Sequence, residues 1–197
     1  MKSLRILIIG TTAFLSATGA HAQTAPGAKP ATAAPPAAAP KAKPYSPGDA
    51  HIYLTIADAI QFQLTMSSRI RGKYKDGPQD LLDLSSKINR ESTALWTPGV
   101  DAAMAHGVEG KKIPQDMSKT DKANLAKLST IKDDKKWELS FFEFYAKDAK
   151  KGAADAEKGA KAATDADLKA FAEKAAALLK TQADSIEAKF KELKGKK

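Results

Sequence analysis

The sequence predicts an all-α protein, a bundle of four long helices with additional short helices. Apolar residues recur at spacings of three and four in several long segments, which is the period of one helix face. Alternating apolar and polar runs, which indicate strands, do not occur. The stretch Trp137–Asp148 holds five aromatic residues within nine positions. Because its apolar arc is so wide, we expect this stretch to form the central helix, with neighbours on more than one side.

The first 44 residues are predicted to precede the folded domain. Met1–Ala22 has the features of a cleaved export signal: a basic start, an apolar run and a small-residue cleavage pattern. Residues 23–44 are almost all Ala, Pro, Lys and Thr without apolar periodicity, which predicts a disordered linker. The helical bundle is then expected to span residues 45–197.

The composition indicates a compartment and excludes several chemistries. The chain has no cysteine, which excludes disulfides, thiolate metal sites and cysteine nucleophiles. Beyond the signal, no segment is long and apolar enough to span a bilayer. An exported chain of this kind is expected in the bacterial periplasm or associated with the outer membrane.

The chain is basic, with a formal net charge of +9. Most lysines alternate with Asp and Glu at helical spacing, which is typical of a solvated helix face. The densest basic patch is Lys189–Lys197. As an alternative to a solvated helix face, this patch predicts contact with an anionic envelope polymer or lipid surface. An unknown protein partner is the other possibility, and an exported protein is not expected to bind nucleic acid.

The first half of the domain contains signals for two long helices. Ser46 followed by Pro47 predicts the start of the first, which runs to about Arg71. The second begins near Pro78. The sequence Thr97-Pro98-Gly99 is expected to interrupt it, with a further short helix over Val100–His106 closed by Gly107.

The second half contains three more helix starts. Ser118 is expected to cap a short helix, Asp133 to begin the central helix, and Thr164-Asp165-Ala166-Asp167 to cap the last one. After Asp148 the central helix continues with alanines and glycines on its buried row. A small-residue face of this kind predicts close approach of another helix.

Each long helix carries one polar residue within its apolar stripe. Facing helices of four-helix bundles build metal and cofactor sites from such inward residues. The alternative is a purely structural role, because a buried amide can hydrogen-bond a neighbouring helix. Two amides and two carboxylates without histidine are also a poor ligand set for transition metals, and no cofactor is expected. The four candidate residues are Gln63, Glu91, Asp148 and Gln182.

Several runs in the second half resemble a bacterial family called domain of unknown function 4142, whose members are ferritin-like exported proteins often labelled outer-membrane proteins. The resemblance spans roughly residues 49–193 and implies a ferritin-like four-helix bundle. The runs that carry it are Gly110–Pro114, Asp121–Ser129, Trp137–Asp148 and Leu168–Lys174.

The resemblance also implies histidines that this chain lacks. In the family, a histidine follows an aspartate on two helices, and another lies on the last helix. The metal role is therefore not carried over, and the chain is expected to be a divergent member that kept the bundle. The positions that lack a histidine are Arg90-Glu91, Asp148-Ala149 and Gln182, and Gln63 stands where the family has an acid on the first helix.

No recognisable catalytic motif occurs, whether a nucleophile elbow, a zinc-protease helix, a phosphate loop or a dinucleotide fingerprint. We therefore predict an exported, non-enzymatic helical bundle that acts through a basic surface, a small pocket or a protein partner. The alternative is a ferritin-like metal-binding or redox protein with a degenerate site.

Overall fold

The computed structural model describes residues 42–196, so the predicted export signal and residues 23–41 of the predicted linker lie outside the described residues. Within this range the chain is helical and contains no strand, which confirms the predicted all-α class. None of the described helices has an apolar stretch sufficient to cross a membrane. The helices are α1 (Pro47–Lys73), α2 (Gln79–Ala105), α3 (Lys119–Leu128), α4 (Asp134–Ala162) and α5 (Ala166–Gly195), with a 3₁₀ turn at Gly110–Lys112.

Side-chain caps begin four of the five helices. Ser46, Ser118 and Asp133 each accept a hydrogen bond from the backbone N–H three residues later, at 3.1, 3.1 and 2.7 Å. Asp165 accepts two such bonds, at 3.0 and 2.9 Å. Each cap typically contributes about 1 kcal/mol to stability. All four starts agree with the sequence prediction.

The four long helices form two antiparallel hairpins, α1–α2 and α4–α5, each joined by a short turn. The hairpins pack closely where α4 carries glycine. A Cβ added at Gly152 would lie 2.9 Å from Cβ of Ala59, and one at Gly159 would lie 2.9 Å from Cγ2 of Ile52. The contact residues move backwards along α1 as α4 advances, so these two helices are antiparallel. The close approach predicted for the small-residue face is therefore confirmed.

The segment between α2 and α4 runs the length of the bundle. It leaves the end where α2 finishes at Ala105 and reaches the opposite end, where Asp134 pairs with Lys73 at 2.7 Å. On the way, Nε2 of Gln61 donates to the carbonyl oxygen of Gln115 at 2.9 Å, and α3 packs against α4. One long crossover therefore joins the two hairpins.

The break predicted at Pro98 is wrong, because α2 is one helix through this position and includes the segment predicted to restart at Val100. Pro98 and Ala94 are both exposed, so water can satisfy the carbonyl that the missing N–H leaves free. Gly99 is buried against α5, where an added Cβ would lie 2.5 Å from Cε2 of Phe171. Packing across this interface outweighs the intrinsic cost of an interior proline, about 3 kcal/mol.

The central position predicted for the aromatic helix is confirmed, because α4 contacts α5, α1 and α3. Phe141, Phe142 and Tyr145 are each 0% exposed. Further along α4, Ala153 and Ala156 are buried in a second apolar cluster with residues of α1 and α5. The same helix thus supplies a bulky core at one end of the bundle and a tightly packed one at the other.

Candidate functional site

Two of the four inward polar residues lie in separate buried hydrogen bonds. Gln63 on α1 accepts a hydrogen bond from the Tyr145 hydroxyl on α4 at 2.8 Å. Gln182 on α5 donates from Nε2 to Oγ of Ser92 on α2 at 3.2 Å. Each amide therefore links a different pair of helices, which supports the structural interpretation of both residues.

The other two candidates are only partly buried. Glu91 lies on α2, and Asp148 lies on α4 beside α3. Within residues 42–196, no hydrogen bond or ion pair joins any two of the four candidates, and they are not among the side chains placed to share a metal ion. A ligand role for this set stays a prediction.

Asp148 lies in a cleft of about 380 Å³ between α1, α3 and α4. Burial, and then the adjacent Asp121 carboxyl, raise the pKa of Asp148 to about 6. Among the described residues, its Oδ2 is buried without a hydrogen-bond donor. Because two ionised carboxylates are both acceptors, a hydrogen bond between Asp148 and Asp121 requires a shared proton. The charged groups around Asp148 are Asp121 of α3, Asp58 of α1, and Lys147, Lys151 and Asp155 of α4.

We expect the contribution of Asp148 to the free energy of unfolding to fall as the pH rises from about 4 to about 7. The pKa of Asp148 is raised in the folded protein to about 6, from an ordinary value of 3.8. The contribution of Asp148 to the free energy of unfolding is therefore fully present below pH 3.8 and is lost as the pH rises through about 6. Asp148→Asn should remove this part of the pH dependence and stabilise the protein at pH 8 by about 1 kcal/mol, a value reduced for the partial exposure of the carboxyl. Urea unfolding at several pH values measures both effects.

The matched control for this prediction is Asp83→Asn, at an exposed position of α2. It should leave the slope of stability against pH unchanged. A profile for Asp148→Asn that matches the unmodified protein would show that the raised pKa of Asp148 does not contribute to the pH dependence of stability.

A concavity of about 670 Å³ lies between the end of α1, α3 and the start of α4, and we call it the α3 groove. Its apolar floor includes Trp137 and Phe141, whose rings stack with centroids 4.9 Å apart. Leu125 and Met117 line the groove beside them. Of these residues, Trp137 and Leu125 are partly exposed in the groove, whereas Phe141 and Met117 are buried.

The rim of the α3 groove is predominantly basic. Lys73 pairs with Asp134 at 2.7 Å, and Lys122 pairs with Asp116 at 2.7 Å. Arg69 lines the same rim, where its charge helps to lower the pKa of Asp116, and it has no acidic partner within 4 Å among residues 42–196. The guanidinium of Arg69 is therefore available to an anion bound in the groove.

The basic patch predicted at the end of α5 is largely paired with acidic residues. Lys189 is 8% exposed and contacts both Asp80 of α2 and Glu192. Lys191 pairs with Glu187 at 3.3 Å, and Lys196 pairs with Glu192 at 2.6 Å. Lys189 thus links α5 to α2, the other two pairs lie within α5 and its C-cap, and the patch presents less free charge than its number of lysines indicates.

The sequence did not indicate the α3 groove. Trp137 was expected to face the core, and Arg69 and Lys122 belong to elements far apart in the chain. The concentration of aromatic residues at the start of α4 was the one available signal.

The chain matches no protein-family model, no curated protein and no solved structure. The resemblance to domain of unknown function 4142 therefore stays a prediction.

Proposed function

We propose that this protein is an exported, non-enzymatic helical bundle of the bacterial cell envelope that binds a single-chain anionic amphiphile, such as a fatty acid, in the α3 groove. The observation that carries the proposal is an aromatic floor beside a rim arginine that has no ion-pair partner among the described residues. The signal-like features of Met1–Ala22 support export. One long crossover between two antiparallel hairpins supports a ferritin-like arrangement.

The floor of the groove fits an alkyl chain. Ligand sites are typically concave, mostly apolar and about 300–1,000 Å³ in volume, and the α3 groove lies within that range. An alkyl chain lying along the partly exposed Trp137 and Leu125 would remove apolar surface of both partners from water. That burial supplies the non-directional part of the affinity.

The rim fits the head group of the same ligand. Arg69 can donate two parallel hydrogen bonds to a carboxylate, a geometry that a lysine ammonium does not provide. Lys73 and Lys122 already have acidic partners, so their charges are balanced locally. Charge complementarity therefore assigns the head group to Arg69 and favours an anionic amphiphile over a neutral one.

The envelope location proposed for the chain would supply such ligands, because acyl chains with anionic heads are components of membranes. The predicted contact with an anionic lipid surface is retained in this proposal, but its site moves. Since the terminal lysines are largely ion-paired, Arg69 and the groove replace Lys189–Lys197 as the proposed contact.

Titration with sodium laurate, at concentrations below micelle formation, tests the proposal. A Trp96→Phe background leaves Trp137 as the fluorescent reporter in the groove. We expect a saturable change in the fluorescence of Trp137. Arg69→Gln should raise the dissociation constant about fivefold, as an exposed charge pair of about 1 kcal/mol predicts.

Arg71→Gln is the matched control, because Arg71 lies on the same helix and does not line the groove. It should bind laurate like the unmodified protein. Dodecanol, which has the same chain length without a charge, should bind more weakly. A response that is absent, or that Arg69→Gln and Arg71→Gln weaken equally, would overturn the proposal.

A further inference from the structure

The end of α2 places His106 at the opposite end of the bundle from the α3 groove. Gly107 has φ of +83°, and its N–H donates to the carbonyl oxygen of Met104 at 3.0 Å. The N–H of Val108 donates to the carbonyl oxygen of Ala103 at 2.9 Å. These two bonds form the helix-ending motif that glycine favours. His106 is thus the last residue before a rigid turn, as its position before Gly107 predicted.

The imidazole of His106 is held in one orientation. Its Nδ1 lies 2.6 Å from the carbonyl oxygen of Lys43, and the ring of Tyr45 stacks on it with centroids 4.2 Å apart. Its side chain is 8% exposed. Because a carbonyl only accepts hydrogen bonds, Nδ1 carries the proton, and Nε2 of the neutral ring keeps a free lone pair.

Two carboxylates from the start of α5 face this ring. Asp165 uses Oδ1 to cap α5, while its Oδ2 lies 3.9 Å from Nδ1 of His106. Oδ2 of Asp167 lies 3.8 Å from Nε2, too far for a hydrogen bond. One ligand atom from each of the three residues lies within 4.8 Å of the others.

The surroundings of the three residues are negative. Burial raises the pKa of Tyr45 to about 12, and the carboxylates of Asp165, Asp167 and Asp49 add to that rise. Within residues 42–196, neither Asp165 nor Asp167 pairs with a lysine or arginine. The positive end of the α5 dipole disfavours a cation at this position, whereas the negative end of the α2 dipole favours one. Because these two effects oppose each other, the carboxylates determine the sign of the local electrostatic potential.

We propose that Nε2 of His106 and the carboxylates of Asp165 and Asp167 form a binding site for a divalent transition-metal ion. Zn²⁺ is the ion that we expect to bind there. A histidine that ligates a metal usually donates its other ring N–H to a carbonyl or carboxylate, which is what Nδ1 does towards Lys43. One imidazole and two carboxylates are ligands that Zn²⁺ accepts. The side chain of Asp167 is 82% exposed and free to close on the ion.

This site is distinct from the inward set predicted from the sequence, and it uses none of those four residues. Its ligands come from two helix ends and do not depend on the proposed amphiphile. The α3 groove lies roughly 30 Å away along α1, given the rise of an α-helix. Failure of one proposal therefore leaves the other standing.

Calorimetric titration of the metal-free protein, purified without a histidine tag, with ZnCl₂ tests the site. We expect one Zn²⁺ per chain and a melting temperature that rises with Zn²⁺ concentration. Asp167→Asn should weaken binding at least tenfold, and His106→Gln should weaken it more. The exposed position of Asp167 makes the first variant safe for folding, and a melting curve without metal checks the second.

His51→Gln is the matched control, since His51 is exposed on the first turn of α1 and lies outside the three-residue group. It should bind Zn²⁺ like the unmodified protein, and Arg69→Gln should do the same. The proposal is overturned if the unmodified protein does not bind Zn²⁺, or if Asp167→Asn binds it as tightly.

Discussion

Replacing Phe142 with alanine is expected to lower the free energy of unfolding by about 4 kcal/mol, the largest effect predicted for a single substitution in this protein. The side chain is fully buried, and its ring meets that of Phe141 edge-on, with centroids 5.5 Å apart. Removing the ring takes away buried apolar area and leaves a cavity, because neighbouring helices held by their own contacts relax only in part.

Urea unfolding followed by circular dichroism measures this loss, and an unchanged dependence on urea would show that the fold is retained. Phe144→Ala is the matched control, since Phe144 lies two residues away on α4 but is only partly buried. It should cost about half as much. Equal losses at the two positions would contradict the packing described for α4.

Gln63→Leu should destabilise the protein by about 2 kcal/mol, although leucine has nearly the same size. The substitution leaves the Tyr145 hydroxyl buried without its acceptor, and an unsatisfied buried donor costs about 1–3 kcal/mol. Urea unfolding of the single variant gives the size of this penalty.

The double variant Gln63→Leu with Tyr145→Phe is the decisive comparison. Removing both polar partners leaves no unsatisfied group, so most of the lost stability should return. If the double variant is less stable than Gln63→Leu alone, the hydrogen bond between α1 and α4 is not the reason for the loss. A preserved fold in the double variant would also show that the buried polar pair is dispensable for forming the bundle.

The two proposed sites would separate two roles along one bundle. The α3 groove lies where α1 ends, whereas His106 and its carboxylates lie where α1 begins. Zn²⁺ would tie the end of α2 to the start of α5 and would stabilise that end by binding only the folded state. Arg69→Gln and Asp167→Asn therefore serve as controls for each other.

Much of the helical architecture was predictable because its signals are local. The periodicity of apolar residues indicated α1, α4 and α5, and Ser46, Ser118 and Asp133 marked helix starts within a residue. Pro98 is the instructive exception. Its local preference indicated a break, but a buried contact between Gly99 and Phe171 of α5 keeps α2 continuous.

By itself, the sequence determined the helical class, the four side-chain caps and the central place of the aromatic stretch, because periodicity and capping act over a few residues. Only the tertiary structure decided that Gln63 bonds Tyr145, that Arg69 faces an aromatic groove, and that His106 meets Asp165. The physical reason is that each of these pairings joins side chains from elements distant in the chain. Their meeting depends on how the two hairpins and the crossover pack, and no spacing within the sequence encodes it.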